Sequence, residues 1–185
     1  ELLKRPEILA PAGNQTCLRA ALKAGANAIY FGVEGFNMRA GAKNFPVESM
    51  PEIVAQCHEK LALAYLALNT IQFERQLPEM REVLKAAAAA GVDGVICWDP
   101  AVIMAAKEFG LQPHLSTQAS VSNSQGILFY YRNYGIRRFV LAREVTLEDM
   151  NAIRHSLTME LSEKAAEIEL EVFAHGAMCV SVSGR

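Results

Sequence analysis

The chain has 185 residues, a formal net charge of −2, 51% hydrophobic residues and 21% charged residues. At about 150 residues per domain, this length favours one domain, or one domain and part of another. The near-neutral charge excludes a strongly basic nucleic-acid clamp but not a local basic patch, and the composition excludes a disordered chain. Four cysteines without CxxC spacing favour a reducing compartment. Because no run of about 18 uncharged apolar residues occurs and no signal peptide opens the sequence, we expect a cytoplasmic protein without a membrane partner.

One pattern repeats along the chain: a short apolar run, a polar corner, and a helix with apolar residues three and four positions apart. Each apolar run predicts a strand. These runs cover residues 7–13, 28–33, 61–69, 94–98, 113–118, 138–142 and 167–174. The chain begins at Glu1 rather than Met, which leads us to expect a piece of a longer protein.

Cap and turn residues predict where the helices between these runs begin and end. Asp99 followed by Pro100 is a strong start signal, and the capping-box spacings that open at Ser122 and Thr146 predict two further starts. Glycines at the expected C-terminal positions predict the ends. They are Gly25, Gly91, Gly110 and Gly135.

The near-continuous apolar strands indicate a parallel sheet covered by helices. A doubly wound sheet and a (β/α)8 barrel both fit seven strands and six helices, but the first strand turn lacks the G-x-G-x-x-G of the dinucleotide-binding open sheet. The sequence therefore predicts an α/β fold, a TIM-barrel-like (β/α)8 domain truncated after about seven strands. It forms a single domain over residues 1–185, with the last strand expected beyond Arg185.

Polar residues follow the carboxyl ends of the predicted strands, where parallel barrels carry their functional sites. We expect this ring of residues to line one pocket, although a single member such as Asp99 is also explained as a helix cap. The ring contains Ala12, Gly13, Glu34, Asn69, Asp99, Thr117, Gln118, Arg143, Glu144, His175 and Cys179.

Several other chemistries find little support. No lysine follows a strand as Schiff-base chemistry requires, and no G-x-S-x-G marks a serine nucleophile. His114 is expected to be a core histidine rather than a metal ligand. Cys17, Cys57 and Cys97 lie in apolar stripes and are expected to be buried.

The end of the chain carries the most specific motif. Residues 171–185, EVFAHGAMCVSVSGR, resemble the signature E-x-F-x-x-G-(small)-(aliphatic)-C-x-x-x-x-G-x-C of the collagenase-like peptidase family U32. The matching residues are Glu171, Phe173, Gly176, Ala177, Met178, Cys179 and Gly184. Segments similar to the family also occur at residues 6–13, 25–32, 69–70, 116–119 and 141–144, so the resemblance covers the whole chain.

Within this family the sequence is most similar to the branch that hydroxylates ribosomal and transfer RNA without molecular oxygen. The resemblance implies an enzyme that contains a [4Fe-4S] cluster on four cysteines and uses prephenate as the hydroxyl source. Cys179 matches the first of these cysteines, and the second is expected directly after Arg185. We therefore expect the cluster in the full-length protein and none in these 185 residues alone.

The same hypothesis assigns roles to the polar ring. Arg143 pairs with a substrate carboxylate in a bidentate geometry, beside the cluster. The expected catalytic residues are His175, Arg143 and Glu144, the substrate-binding residues Asn69, Gln118 and Arg39, and the metal ligand Cys179. For the loop that contains Arg39, covering the mouth, contacting RNA phosphate and simple solvation all stay open.

Two other functions stay open. A peptidase, and so a hydrolase, would use Cys179 and His175, for which no orienting acid is evident. A non-catalytic scaffold in a larger complex is the second alternative. Whether the protein forms a homo-oligomer also stays open. A brown, iron-bearing sample of the full-length protein would favour RNA hydroxylation, and a colourless sample with protease activity would favour the peptidase.

Overall fold

The structure, a computed structural model, describes residues 5–36 and 44–176. The chain forms two compact units, Glu1–Gln112 and Pro113–Arg185. Within the described ranges, no helix combines the length and the apolar character needed to cross a membrane. The single domain expected over residues 1–185 stays a prediction.

Strands and helices alternate in the first unit. The strands are β1 (Leu9–Ala12), β2 (Ala28–Gly32), β3 (Leu63–Ala67) and β4 (Gly94–Cys97). The helices are α1 (Gln15–Lys23), α2 (Met50–Glu59), α3 (Leu77–Ala90) and α4 (Pro100–Glu108). Neighbouring strands pair in parallel in the order β1-β2-β3-β4, as crossover helices between successive strands require.

Both faces of this first sheet are buried. One face carries a cluster of Ala28, Tyr65 and Ile96, against which Leu9 and Tyr30 pack. Alternate strand positions point to the other face. The fully buried residues there include Ile29, Phe31, Leu66 and Val95. Burial on both faces explains why the strands read as continuous apolar runs.

The second unit repeats the arrangement. Its strands are β5 (Pro113–Leu115), β6 (Arg138–Val140) and β7 (Glu169–Glu171), and its helices are α5 (Ser124–Tyr134) and α6 (Leu147–Leu161). The three strands are parallel and pair in the order β5-β6-β7. The carboxyl ends of these strands open into the loops that contain most of the predicted site residues.

The helix starts agree with the predicted caps at two of three positions. Asp99 Oδ1 accepts the N–H of Ala101 at 2.8 Å, and Thr146 forms the expected capping box. The third prediction, Ser122, is wrong, because Asn123 Oδ1 accepts the N–H of Gly126 at 2.9 Å and α5 begins one residue later. Asn provides a side-chain acceptor as suitable as that of Ser for this position.

The predicted strands are longer than the observed ones in the second unit. The strand expected over residues 113–118 ends at Leu115, since Ser116 Oγ accepts the N–H of Gln118 at 3.4 Å and starts a 3₁₀ turn over Thr117–Ala119. Hydroxyl side chains often compete with a strand ladder in this way. The apolar run beyond β6 continues into a loop, so the predicted strand over residues 138–142 is also too long.

Candidate functional site

Hydrogen bonds join the loop that follows β6 to the loop after β5 and to the end of β7. Thr117 Oγ1 donates to the carbonyl oxygen of Leu141 at 3.3 Å. The N–H of Ala142 donates to the carbonyl oxygen of Val121 at 2.8 Å. The N–H of Leu141 donates to the carbonyl oxygen of Glu171 at 3.0 Å. The loop after β6 is therefore fixed between the loop after β5 and the carboxyl end of β7.

Arg143 lies in this central loop and is half-buried. Its guanidinium carbon is 3.8 Å from the ring centroid of Phe173, in the loop after β7. A guanidinium stacked on an aromatic face is attracted by the ring, and its N–H donors lie in the guanidinium plane, away from that face. The stack fixes the plane in which Arg143 meets an acceptor.

A cavity of about 120 Å³ adjoins the stack. Its lining is apolar except for the guanidinium. The residues that line it are Leu141, Ala142, Arg143, Val145, Met150, Val172 and Phe173. A cavity of about 150 Å³ holds one benzene ring, so this smaller space holds only part of a compact cyclic or branched group beside Arg143.

The other predicted residues of this unit take different positions. Gln118 is buried in the 3₁₀ turn after β5, where its Oε1 accepts the hydroxyl of Ser116 at 3.4 Å. Glu144 and His175 are exposed, in the loops after β6 and β7. All three follow strand ends as expected, and their roles stay predictions.

Asn69 lies in the first unit, at the carboxyl end of β3. Its backbone carbonyl oxygen accepts the indole N–H of Trp98 at 3.0 Å. The amide side chain of Asn69 takes no part in this bond. Asp99 does more than cap α4, because its Oδ2 accepts the N–H of Gln72 at 3.3 Å. The ends of β3 and β4 are thus tied together. Arg39 and Cys179 lie outside the described residues, and their predicted roles stay predictions.

The described cysteines do not fit an iron–sulfur cluster. Burial, with a smaller contribution from Asp93, raises the pKa of the Cys57 thiol to about 11, and burial also raises the pKa of Cys97. Both thiols are therefore held in the protonated form, whereas a cluster binds thiolates. Across residues 5–36 and 44–176, no group of three or more His, Cys, Asp and Glu side chains is placed to hold a metal ion.

Cys17 corrects the expectation that all three of these cysteines are buried. Its side chain is exposed, whereas its neighbour Leu18 is completely buried. Successive helix residues are rotated by about 100° around the axis, so the stripe through Leu18 turns Cys17 toward solvent. A cysteine beside an apolar stripe is not necessarily part of it.

His114 is buried, as expected for a core histidine. It is in register with Arg138 of β6, whose Nε donates to Glu169 Oε2 at 2.7 Å. Burial, followed by the positive charge of Arg138, lowers the pKa of His114 from 6.5 to about 3. The imidazole is therefore neutral at physiological pH.

The role of Phe173 was not predicted from the sequence. Phe173 matches the E-x-F part of the terminal motif, but its contact with Arg143 requires the pairing of β6 with β7. The signal available in the sequence was an aromatic residue just past one strand and an arginine just past the preceding strand. An unassigned aromatic motif position of this kind predicts a partner for a nearby cation.

Comparisons with known proteins assign the family. The profile of peptidase family U32 matches residues 13–185. A collagenase of Porphyromonas gingivalis is 40% identical over 182 residues, which are 97% of this chain and 44% of that protein. The tRNA hydroxylation protein P1 of Bacillus subtilis is 36% identical over 186 residues, which are 100% of this chain and 42% of that protein. The chain thus spans less than half the length of these relatives.

The fold agrees with that of a solved relative. The structure of a U32 peptidase superposes with a TM-score of 0.68 at 17% sequence identity, over 93% of this chain and 71% of that chain. This similarity, with seven parallel strands in the described residues, confirms the predicted TIM-barrel-like α/β class. The matched profile and the relatives agree on one assignment. The chain belongs to peptidase family U32.

Proposed function

We propose that this chain is part of a U32 protein that hydroxylates RNA, and that the cavity at Arg143 binds the small carboxylate that supplies the hydroxyl group. The observation that carries the proposal is the half-buried guanidinium of Arg143, stacked on Phe173 at an apolar cavity of about 120 Å³. Relatives named as tRNA hydroxylation proteins support the choice of RNA. Prephenate, implied by the family resemblance, has the required combination of carboxylate and compact ring.

The chemistry of the cavity favours such a ligand. A guanidinium offers two parallel N–H donors that match the two oxygens of a carboxylate. Beside apolar side chains an ion pair is screened less than in bulk water, which strengthens it. His175, in the loop that contains Phe173, is the group we propose to move a proton, and Gln118 and Glu144 are the proposed polar groups of the adjoining loops.

The site is tested by Arg143 variants of the full-length protein that contains this chain. We expect Arg143→Ala to abolish RNA hydroxylation, measured by mass spectrometry of nucleosides from cells that carry only the variant. Arg143→Lys keeps the charge but loses the planar fork, so we expect at least a tenfold loss. A folded Arg143→Ala protein with near-normal hydroxylation would overturn the assignment.

Arg137→Ala is the matched control. Arg137 belongs to the same unit, but it is exposed and pairs with Glu167 at 3.3 Å on the surface. We expect this variant to retain activity, since exposed ion pairs contribute little to stability. The melting temperature of each variant separates a loss of ligand binding from a loss of fold.

Iron–sulfur dependence is a separate part of the proposal, in which Cys179 is a ligand. It is tested by the iron content and the visible absorption of the full-length protein after anaerobic purification, with Cys179→Ser as the variant. Colourless, iron-free protein that still hydroxylates RNA would remove the cluster from the proposal and leave the Arg143 site in place.

Proteolysis is the second candidate function, because a relative that is 40% identical is named a collagenase. The same purified protein can be tested on gelatin. Cleavage that is lost in both His175→Ala and Cys179→Ser would replace the RNA-hydroxylation proposal with a peptidase.

A further inference from the structure

The loop that joins β3 to α3 presents two large apolar side chains to solvent. Ile71 is exposed, and 54% of the Phe73 surface is accessible. The loop, residues 69–76, follows the carboxyl end of β3, where parallel α/β folds bind ligands. Apolar side chains grouped on a surface loop often mark an interaction site.

The exposed side chains stand on a fixed backbone. Trp98 and Asp99 hold the loop from the end of β4, through the carbonyl oxygen of Asn69 at 3.0 Å and the N–H of Gln72 at 3.3 Å. The Gln72 side chain donates to the hydroxyl oxygen of Thr70 at 2.9 Å. A preorganised loop has little conformational entropy left to lose when a partner binds.

A second set of bonds fixes the loop where it enters α3. The N–H of Phe73 donates to Gln76 Oε1 at 3.2 Å, and the N–H of Gln76 donates to the carbonyl oxygen of Phe73 at 2.8 Å. These two bonds close a tight turn around Phe73. The backbone at Phe73 is therefore fixed, and more than half of the residue's surface faces solvent.

Arg75 completes the arrangement. Its guanidinium carbon lies 5.2 Å from the ring centroid of Phe73. Arg81, Arg132 and Arg137 each pair with a glutamate, whereas the described residues include no such ion pair for Arg75. Arg75 thus remains available to an external anion beside an aromatic ring.

We propose that this loop binds a single-stranded segment of RNA, with one base stacked on Phe73 and the neighbouring phosphate paired with Arg75. The proposal rests on RNA being the substrate of the proposed function, and it adds a protein surface that receives the RNA. Every base has a π face, so an exposed aromatic ring accepts unpaired bases with little sequence preference. An arginine held beside the ring supplies the donors that a phosphate requires.

The local charge limits the extent of this contact. Glu74 and Glu79 are close to Arg75 in the sequence, so the loop carries no excess of positive charge. We therefore expect one stacked base and one phosphate contact rather than a long electrostatic track. One phosphate contact contributes about one unit to the slope of log affinity against log salt concentration.

The test measures binding of an unstructured twelve-nucleotide RNA to the full-length protein by filter retention at several salt concentrations. We expect Phe73→Ala to weaken binding about tenfold, as is typical for the loss of one stacked base. We expect Arg75→Ala to weaken binding several-fold and to lower the salt slope by about one unit. Arg75→Lys retains the charge, so its salt slope should stay near that of the wild type.

Phe129→Ala is the matched control, because Phe129 is a phenylalanine with the same accessible fraction, 54%, on α5. We expect it to bind RNA as the wild type does. Equal weakening by Phe129→Ala and Phe73→Ala would overturn the proposal, since any exposed phenylalanine would then have the same effect. Because Phe73 is exposed, its variant should keep the wild-type melting temperature, and a lowered value would count against the assignment.

The outcomes separate this inference from the proposed function. Wild-type protein that fails both to bind and to hydroxylate RNA contradicts the proposed function. If the Phe73→Ala and Arg75→Ala variants bind RNA as well as the wild type does, only the role of the loop is overturned. Loop variants that lose affinity for gelatin peptides while RNA binding is unchanged would assign the loop to a peptide partner instead, which also overturns the inference.

Discussion

His114 is a titratable side chain inside the second unit, and its low pKa has a consequence for stability. The folded protein keeps the imidazole neutral down to about pH 3, because burial and the charge of Arg138 both oppose protonation. In the unfolded chain the same side chain has its ordinary pKa of about 6.5. The two states therefore bind different numbers of protons between these pH values.

We expect the free energy of unfolding to fall as the pH is lowered from about 6.5 toward 3, because only the unfolded state takes up the His114 proton there. The stabilising contribution is complete above pH 6.5, and the loss reaches at most about 1.4 kcal/mol per pH unit. Urea denaturation of the wild type and His114→Gln at pH 7.5 and pH 5 measures it. The difference between the two pH values should be smaller in the variant, and an unchanged difference would contradict the role of His114.

At the scale of elements, the six α-helices of the described residues all end at a residue with positive φ. These residues are Gly25, Leu61, Gly91, Gly110, Gly135 and Ser162. Leu61 follows α2 with a φ of 57°, and 94% of its surface is exposed. Its N–H donates to the carbonyl oxygen of His58 at 3.0 Å, and the N–H of Ala62 donates to that of Cys57 at 3.0 Å. These bonds form a Schellman motif, which usually contains glycine at this position.

We expect Leu61→Gly to raise the free energy of unfolding by about 0.5–1 kcal/mol, because glycine adopts positive φ without the steric cost of an L side chain. The exposed leucine side chain has little packing to lose. For a chain of this size, thermal unfolding should shift upward by about 1–4 °C. Leu61→Ala, which also removes the side chain but keeps the Cβ, should leave stability nearly unchanged.

Gly110→Ala is the reverse control. Gly110 has a φ of +76°, and no neighbouring heavy atom lies within 4 Å of the position that a Cβ would take. The substitution should destabilise the protein by about 1 kcal/mol through the backbone alone. If Leu61→Gly and Gly110→Ala both left the melting temperature unchanged, the helix ends would not limit stability.

The elements also show how far the sequence predicts the structure. The four glycine ends were predicted because glycine marks positive φ, while the ends at Leu61 and Ser162 carry no such mark. The strand after Pro113 was predicted too long, since an apolar pattern does not reveal the turn that Ser116 begins. Local patterns therefore located the strands and helices, but not the points at which side chains compete with the backbone.

The candidate site was predictable only in part for a related reason. Arg143 was expected because it follows a predicted strand, and the carboxyl ends of parallel strands lie at the same edge of a sheet. Its stack on Phe173 depends on two strands coming together, and the burial of Gln118 depends on a turn. Such contacts between distant segments are determined by packing and leave no local pattern in the sequence.

At the scale of the whole molecule, the two units each have an outer strand. In the first unit β1 pairs with β2, and in the second unit β7 pairs with β6. Ile8, directly before β1, is 62% exposed, and Val172 and Phe173 after β7 are also exposed. Strand edges flanked by apolar side chains tend to pair with other chains.

We expect the 185-residue chain on its own to self-associate, measured by light scattering at increasing protein concentration. Ile8→Lys should reduce the association, because a lysine at a strand edge opposes pairing. Met159→Lys adds the same charge at an exposed position on α6 and should have little effect. A monodisperse monomer of the wild-type chain would contradict this prediction.

Trp98 is the one tryptophan in the sequence, and its indole N–H bonds to the carbonyl oxygen of Asn69 at 3.0 Å. Excitation at tryptophan wavelengths therefore gives an emission signal from a single known place, the root of the loop after β3. Any ligand that alters this loop should change the intensity or wavelength of that emission. No second tryptophan in the sequence adds a signal from another part of the chain. The 185-residue chain thus contains a built-in optical probe of this loop, and binding to this chain can be followed in real time without a dye or a label.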